Sequence, residues 1–504
     1  MSVTKDISSA PADTADTTTT ESTPAAGPAV RPPDPPEQRN RRPGLTLAVI
    51  ITAQLMITLD MTVVNIALPK IQNTLHFSAT GLSWVVNGYL LTYGGLLLLG
   101  GRAGDILGRR RMFLTGISVF TVASVLGGIA PNASLLLAAR VLQGVGGAAA
   151  APSVVALIMA NFAEGRERVR ALSYFSVTSG VGGSIGLVLG GMLTSWASWR
   201  WVFFINVPIG LGLVLVAPRV IRETKRFPGR FDLAGALCTT GAMTSLVYAF
   251  IRVSSDGWSN AGTLGSFAAA VVLLVLLVLV ESRAVQPILP LRLVAERNRA
   301  GAYLTMLFSI AGMFGMFFFL TQFVQSVLGL SPVVAGVSFL PMTLTMMSAV
   351  RILPRLLPRV GAKRIMIPGV AMAAGGLYWL THVTTHTTYL GGVLGPMLLV
   401  GIGMGCTILP LNVTILSGVQ AKDSGAAAGV LQTMQMVGGS LGLAVLVTVF
   451  GTAERSSAAG HATAQAALAH GMASAFDVAT VFAVCALALV IAVIRVRPRT
   501  GTAG

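Results

Sequence analysis

Long apolar segments alternate with short polar loops along most of the chain. Fourteen of these segments are close to the length of about 20 residues that an α-helix needs to cross a bilayer. They lie at 45–68, 81–100, 112–130, 134–160, 171–194, 199–217, 232–251, 263–281, 300–323, 332–350, 365–384, 390–415, 425–450 and 473–494. The pattern predicts an all-α membrane protein with fourteen spans, because the strands of a membrane barrel would alternate apolar and polar residues.

Composition agrees with this class. Of the 504 residues, 54% are hydrophobic and 11% are charged, whereas a soluble protein has about 25% charged residues. Cys238, Cys406 and Cys485 fall in apolar segments at irregular spacing, so we expect neither disulfides nor a metal site. Residues 1–44 are rich in Thr, Ala, Pro and Asp, which predicts a disordered tail and no signal peptide.

The positions of Lys and Arg predict the topology, since cytoplasmic loops carry the positive charge. With both termini in the cytoplasm, the tails and inner loops hold 30 of the 35 basic residues. Lys70, Arg200, Arg252 and Arg455 fall near the outer side, and Arg140 falls within a span. The net charge of +17 therefore reflects topology, and no nucleic-acid partner is expected.

Asp60 lies about fifteen residues into the first apolar segment, roughly 22 Å from its start. A carboxylate at the bilayer centre costs on the order of 3 kcal/mol, so such residues usually mark ion or substrate pathways. The alternative is a structural acid with a buried partner. Asp232, Glu281 and Asp477 are expected near helix ends, which makes Asp60 the only acid predicted deep in a span.

Arg140 is predicted in the fourth span at nearly the same depth as Asp60. A buried guanidinium needs acceptors, and Asp60 is the carboxylate expected at that level. We therefore predict that the two interact, directly or through water. The alternative is that Arg140 bonds only backbone carbonyls and Gln143.

The first span also carries a second polar face. At 100° per residue, Thr58, Thr62 and Asn65 lie about 140–200° from Asp60. One straight helix cannot direct all four side chains into one cavity. Either this helix bends or its second polar face packs on a neighbour.

The inner loop after the second span has the spacing G-x-x-x-D-x-x-G-R-R, formed by Gly101, Asp105, Gly108, Arg109 and Arg110. Such a loop either has a gating role or serves only as a positive-inside anchor. A weaker echo without the acid occurs at 358–364, after the second span of the last six. This echo favours duplication of a six-helix unit, with the two halves facing one pathway.

The fifth span is rich in glycine. Gly182, Gly186 and Gly190 recur every four residues, and Gly191 follows. Such a face lets another helix pack with its backbone in near contact. Packing alone accounts for it, but with a partner from the other half it becomes a moving seam.

Several amide side chains are predicted within spans. They either join helices or line a wet cavity; they are Asn87, Gln143, Gln322, Gln325, Asn412, Gln432 and Gln435. Together with the Met and Phe run at 313–319, they fit a large, mostly apolar, uncharged cavity. Such a cavity suits a bulky lipophilic ligand better than a sugar or an anion.

Residues 45–494 resemble the major facilitator superfamily, on the loop motif at 101–110 and the fourth-span motif at 140–147. The segments Leu59–Pro69 and Trp199–Gly210 are similar to those of fourteen-spanning drug:proton antiporters of the EmrB/QacA type. Two features depart from the family pattern: Ile106 replaces the usual basic residue, and the segment 186–191 lacks the usual proline.

The resemblance implies two pseudo-symmetric six-helix bundles at 45–217 and 291–494. It places an inserted helix pair with its linkers at 218–290 and a cytoplasmic tail at 495–504. It also implies export of drug-like compounds in exchange for protons, without a cofactor. No acid occurs in the tenth span, at 332–350, so dications are less expected than neutral or singly charged lipophiles.

These observations predict a proton-coupled multidrug or antibiotic exporter in the cell membrane that works by alternating access, with Asp60 as the coupling acid. Its expected partners are protons, small lipophilic substrates and the lipid bilayer, with no metal and no obligate protein partner. A proton-linked transporter of an endogenous metabolite or lipid is the alternative. A membrane enzyme or receptor is a distant one, because no HExxH, Ser/His/Asp set or Walker loop occurs.

Overall fold

The computed structural model describes residues 43–163, 165–223, 226, 232–283, 296–417, 419, 424–461 and 463–494. Within these ranges it contains sixteen α-helices, two short π-helices and no strand. The predicted tail at 495–504 and residues 1–42 of the predicted N-terminal tail lie outside the described residues. The first helix begins at Pro43, two residues before the first predicted span.

The helices fall into three groups along the chain. The first group is α1 (Pro43–Leu75), α2 (Ser83–Leu107), α3 (Arg109–Gly128), α4 (Ala133–Asn161), α5 (Arg166–Trp196), α6 (Trp201–Phe204) and α7 (Asn206–Val220). The second group is α8 (Leu233–Asp256) and α9 (Ala261–Arg283). The third is α10 (Arg297–Gln322), α11 (Pro332–Ser338), α12 (Leu340–Val360), α13 (Ala362–Leu380), α14 (Leu394–Leu416), α15 (Ser424–Ala459) and α16 (Ala464–Ala492), with π-helices at Phe323–Val327 and Tyr389–Val393.

All fourteen predicted apolar segments are helical. Two of them are divided, the sixth into α6 and α7 and the tenth into α11 and α12. Pro208 and Pro341 follow these two breaks, and a proline cannot donate the hydrogen bond that would continue the preceding turn. Eleven helical stretches in the described part are long and apolar enough to cross a membrane, whereas α2, α5 and α13 fall outside that set.

The first and third groups share one packing pattern. In the first, α1 packs on α5 and α7, α4 on α2 and α3, and α3 on α7. In the third, α10 packs on α15 and α16, α14 on α12 and α13, and α13 on α16. Counted as spans, these are the same five pairings, as the duplication inferred from the sequence predicts. The domain boundaries themselves stay predictions.

Two junctions join the groups, α2 against α15 and α5 against α11. The two junctions are equivalent, because each joins the second span of one group to the fifth span of the other. The middle group covers the first junction, since α8 packs on both α2 and α15, and α9 packs on α8. We call the bundle end that carries Trp196 and Pro332 the Trp196 end, and the end that carries Arg110 and Val220 the Arg110 end.

One sequence prediction about buried acids is wrong. Helix α16 begins at Ala464, nine residues before the predicted span, so Asp477 lies thirteen residues into the helix and not near its end. Its side chain is nevertheless exposed, whereas Asp60 is 1% exposed. Asp60 is therefore distinguished from Asp477 by burial, since both acids lie well inside their helices.

Candidate proton-coupling site

Asp60 lies seventeen residues after the first residue of α1, and three side chains from two other helices donate to its carboxylate. Arg140 Nη1 lies 2.5 Å from Oδ2. Gln143 Nε2 lies 2.9 Å from Oδ1, and Asn206 Nδ2 lies 3.0 Å from the same oxygen. All four side chains are buried, so the carboxylate is held without bulk water.

Helix α4 supplies two of the donors because residues three apart share one helix face. Arg140 Nη1 also donates to Gln143 Oε1 at 2.8 Å. The amide of Gln143 donates in turn to Ser124 Oγ on α3, again at 2.8 Å. Gln143, predicted to line a substrate cavity, is thus a buried partner of Asp60 and Arg140.

Arg140 has two further contacts on α2. Its Nε donates to the Val85 carbonyl at 2.8 Å, and its guanidinium lies 4.5 Å from the centroid of the Tyr89 ring. The structure therefore combines the two arrangements considered from the sequence, since Arg140 contacts Asp60 directly and also bonds a backbone carbonyl and Gln143.

Asp60 and Arg140 form a buried ion pair with a nearly complete set of hydrogen bonds. Burying such a pair is expensive, and removing one partner typically costs about 3–5 kcal/mol because the other charge is left uncompensated. Protonation of Asp60 would abolish the attraction to Arg140. The arrangement can therefore couple a proton to the packing of α1 against α4.

The second polar face of α1 packs on α5. The Thr62 side chain contacts Gly186, and Thr58 Cγ2 lies 3.2 Å from where a Cβ on Gly182 would stand. Asn65 Nδ2 donates within its own helix, to the Met61 carbonyl at 2.9 Å. The hydroxyls and the amide of this face bond carbonyls of α1 itself, and of these four polar side chains Asp60 is the one bonded to α4 and α7.

The structure favours the packing alternative for most of the glycine face on α5. Gly182, Gly186 and Gly190 face α1, which belongs to the same helix group, and a Cβ at Gly190 would lie 2.7 Å from the Val63 carbonyl. They account for close packing and not for a seam between halves. Gly191 alone faces the other group, because it lies 100° further round the helix, against Pro332.

The two groups meet closely at the Trp196 end. The Gly191 backbone abuts the Pro332 carbonyl, and reciprocally the Gly336 backbone abuts the Leu187 carbonyl. Ser195 Oγ accepts a hydrogen bond from the Val333 N–H at 3.3 Å. Only glycine permits such contacts between helix backbones, so this end of the α5–α11 junction is closed.

Three of the predicted cavity amides join the two groups. Asn87 Oδ1 accepts from Ser440 Oγ at 2.9 Å, and Gln432 Nε2 donates to the Tyr93 hydroxyl at 3.0 Å. Gln325 Nε2 donates to the Ile66 carbonyl, also at 3.0 Å. In this conformation these amides act as contacts between halves.

The other cavity predictions are dispersed. Gln322 bonds the Phe318 carbonyl of its own helix at 3.3 Å, and Gln435 lies 3.8 Å from Met306 Sδ. Asn412 is half-buried, with its Oδ1 unpaired. In the Met and Phe run, Met316, Phe318 and Phe319 are core residues of the third group, which removes much of the support for an aromatic cavity wall.

The loop motif forms a charge cluster at the Arg110 end. Arg109 pairs with Asp105 and donates through Nη1 to the Gly101 carbonyl at 3.2 Å. Gly108, with φ +107°, separates α2 from α3 in a conformation that favours glycine. Arg110 Nη1 donates to the Ile221 carbonyl at 3.1 Å, so the motif connects the α2–α3 turn to the end of α7.

Two residues of these sites were missed from the sequence. Glu223, in the loop after α7, lies 3.6 Å from Arg110 Nε and 3.9 Å from Arg111 Nε. Asn206 lies in the segment 199–210 that resembles the antiporters, but it was not assigned to Asp60. The signal available for Glu223 was an acid in an arginine-rich loop. The signal available for Asn206 was an amide shortly before a proline at a helix break.

Comparison with known proteins places this architecture in a family. The family model of the Major Facilitator Superfamily matches residues 50–443. The chain belongs to the major facilitator superfamily. It is a multi-pass helical membrane transporter and not an enzyme.

Several of its relatives are named as export or resistance proteins. The chain is 42% identical to the puromycin resistance protein pur8 of Streptomyces alboniger over 88% of this chain and 89% of that protein. It is 40% identical to the cephamycin export protein CmcT of Amycolatopsis lactamdurans, over 82% of this chain and 86% of that protein. Its fold matches a bacterial homologue of the human lysosomal transporter Spinster with a TM-score of 0.63. The two sequences are 15% identical, and the match covers 89% of this chain and 96% of that protein.

Proposed function

We propose that this superfamily member exports neutral or singly charged cationic lipophilic compounds in exchange for protons, with Asp60 as the coupling acid. The observation that carries the proposal is the buried carboxylate of Asp60, bound by one cation and two amides. A carboxylate so enclosed can change its charge only together with its surroundings, which is what coupling requires.

The coupling follows from the ion pair. A proton taken up by Asp60 neutralises the carboxylate and releases Arg140 from its strongest partner. Conversely, movement of Arg140 away from Asp60 would favour proton uptake, because the negative charge of the carboxylate would lose its compensation. Alternating access then needs one conformation that retains the Asp60–Arg140 pair and another that loosens it.

The proposal includes fourteen spans with both termini in the cytoplasm of a cell-membrane protein. The cluster around Arg109 and Arg110 supports placing the Arg110 end in the cytoplasm by the positive-inside rule. The close contact of Gly191 with Pro332 then lies on the outer side. On this assignment the structure represents a conformation closed to the outside.

Export of small antibiotics is supported by relatives that are named for puromycin resistance and cephamycin export. The expectation against dications is supported by the charge compensation at the site. Asp60 is already paired with Arg140, so this acid offers no uncompensated charge to a dication.

The proposal is tested by reconstituting Asp60→Asn in proteoliposomes and imposing a pH gradient. We expect export of a fluorescent lipophilic cation to fall by at least about tenfold, to the level of protein-free vesicles, because the amide cannot carry a proton. Asp477→Asn, which neutralises an exposed helix acid, is the matched control and should transport like the wild type. Undiminished pH-driven export by Asp60→Asn would contradict the proposal.

A further inference from the structure

Asn206 occupies a distinctive position beside Asp60. It is the first residue of α7, immediately after the break that follows α6. Its side chain is 1% exposed, and its Nδ2 donates to Asp60 Oδ1 at 3.0 Å. Its own Oδ1 is buried without a hydrogen-bond partner among the described residues. A buried acceptor is rarely left unpaired without a reason.

The partners of Asp60 in the structure suit only its charged form. Arg140, Gln143 and Asn206 all donate, and an ionised carboxylate only accepts. A protonated carboxyl gains one O–H, which then needs an acceptor in a site without bulk water. Each buried donor left unpaired disfavours the state that contains it, so the protonated state requires a nearby oxygen.

Gln143 is poorly suited to supply that oxygen. Its Oε1 already accepts from Arg140 Nη1 at 2.8 Å, and its Nε2 donates both to Asp60 and to Ser124. Rotating this amide by 180° would break three hydrogen bonds, one of them to a guanidinium. Asn206 has one hydrogen bond to break and a free oxygen to offer.

We propose that Asn206 is a positioning residue for proton loading, whose amide donates to ionised Asp60 through Nδ2 and accepts from protonated Asp60 through Oδ1. The exchange rotates the terminal amide, whose oxygen and nitrogen are nearly equal in size, so the buried atom without a partner changes from Oδ1 to Nδ2. No bond between heavy atoms is formed or broken. The inference rests on the proposed function of Asp60 and adds a second residue to it.

The surroundings of Asp60 contain few other groups that could take this role. Arg140 on α4 is a cation with donors only, and Tyr89 on α2 stacks on its guanidinium. Helix α5 presents glycines to α1, and the π-helix after α10 presents the Gln325 amide to the Ile66 carbonyl. Tyr89 also has a buried hydroxyl without a hydrogen-bond partner among the described residues, but that hydroxyl is not bonded to Asp60, whereas the Asn206 amide is.

The test separates proton loading from folding. Asn206→Leu keeps the branching and the number of heavy atoms of the side chain but removes its donor and its acceptor, and Asn206→Thr retains one hydroxyl. We measure two rates in proteoliposomes: transport driven by a pH gradient, and exchange of labelled for unlabelled substrate at equal alkaline pH. Asn65→Leu is the control, because the Asn65 amide bonds only the Met61 carbonyl in α1.

We expect Asn206→Leu to reduce gradient-driven transport by about tenfold, because the O–H of protonated Asp60 is then buried without an acceptor, and to leave exchange within about twofold. Asn206→Thr should lie between Asn206→Leu and the wild type, and Asn65→Leu should match the wild type in both assays. If Asn206→Leu does not reach the membrane, the contrast between the two rates in Asn206→Thr carries the test. Equal loss of both rates, or no loss of gradient-driven transport, would overturn the inference.

An infrared difference spectrum between acid and alkaline pH provides an independent readout. The carboxyl C=O band of protonated Asp60 should shift in Asn206→Leu, because its O–H has lost an acceptor, and should vanish in Asp60→Asn. An unshifted band would overturn the role of Asn206. If Asp60→Asn itself retains gradient-driven export, the proposed function fails; if only the Asn206 variants behave as wild type, the function stands and this inference fails.

Discussion

Replacing Arg140 by leucine should destabilise the transporter in a way that depends on pH. The variant removes the guanidinium from Asp60, Gln143 and Val85 while leaving the carboxylate buried. An uncompensated buried charge of this kind costs about 3–5 kcal/mol. The folded state of Arg140→Leu then favours the neutral acid, so its stability should increase as pH falls and Asp60 takes up a proton.

The size of the effect can be isolated with a double-mutant cycle. Asp60→Asn in the Arg140→Leu background removes the orphaned charge, and its amide can still accept from Gln143 and Asn206. We therefore expect the double variant to recover most of the loss, with a coupling energy of about 2–3 kcal/mol at pH 8. The coupling should be smaller at pH 5 than at pH 8, because proton uptake relieves the single variant of its uncompensated buried charge.

The assay is the apparent melting temperature of the purified protein in detergent at pH 5, 6.5 and 8, for wild type, both single variants and the double variant. The expected order at pH 8 places Arg140→Leu lowest, and the gap between it and the double variant should narrow at pH 5. Equal destabilisation at every pH, without recovery in the double variant, would refute the reasoning. It would mean that Arg140 acts through packing alone.

Two further predictions concern the glycines. Gly190→Ala should lower the free energy of unfolding by about 1–3 kcal/mol, because the new Cβ would overlap the Val63 carbonyl. Gly212→Ala is the control and should be close to neutral in the same melting assay, because a Cβ there would have nothing within 4 Å. Equal effects of the two variants would contradict the packing described for α5. Gly336→Leu should separate α11 from α5. In a Ser195→Cys background, the new cysteine should then react faster with a membrane-impermeant thiol reagent added from outside. An unchanged labelling rate would show that this contact does not close the Trp196 end.

The hydrophobic pattern of the sequence was sufficient to predict the helices. Each apolar segment became helical because its spacing and length permit little else in a bilayer. The contact of Asp60 with Arg140 could also be anticipated, since both were expected at the same depth and a buried cation needs an acceptor. These predictions rest on local sequence and on depth along one axis.

The roles of the amides could not be obtained in this way. Gln143 and Gln432 are alike as polar residues within apolar segments, yet one bonds Asp60 and the other joins α15 to Tyr93 of α2. The difference depends on rotation about each helix axis and on which helices are neighbours. Asn206 shows the same limit, because its contact joins residues 146 positions apart.

The glycine face of α5 shows a related limit. Spacing of four predicts a close partner but does not identify it, and the partner is α1 of the same group for Gly182, Gly186 and Gly190. Gly191 contacts the other group because one residue turns the helix by 100°. Gly190, which packs within its own group, and Gly191, which lies at the junction, are thus only one residue apart in the sequence.

Asp60 is proposed as the group that exchanges a proton for substrate. The exchange is tested most directly by the release of protons when substrate is added to purified protein in weakly buffered detergent solution, followed with a pH indicator at mildly acidic pH. We expect proton release by the wild type and by Asp477→Asn, and none by Asp60→Asn at substrate concentrations where binding is still detected. Equal release by Asp60→Asn and the wild type would contradict this role of Asp60.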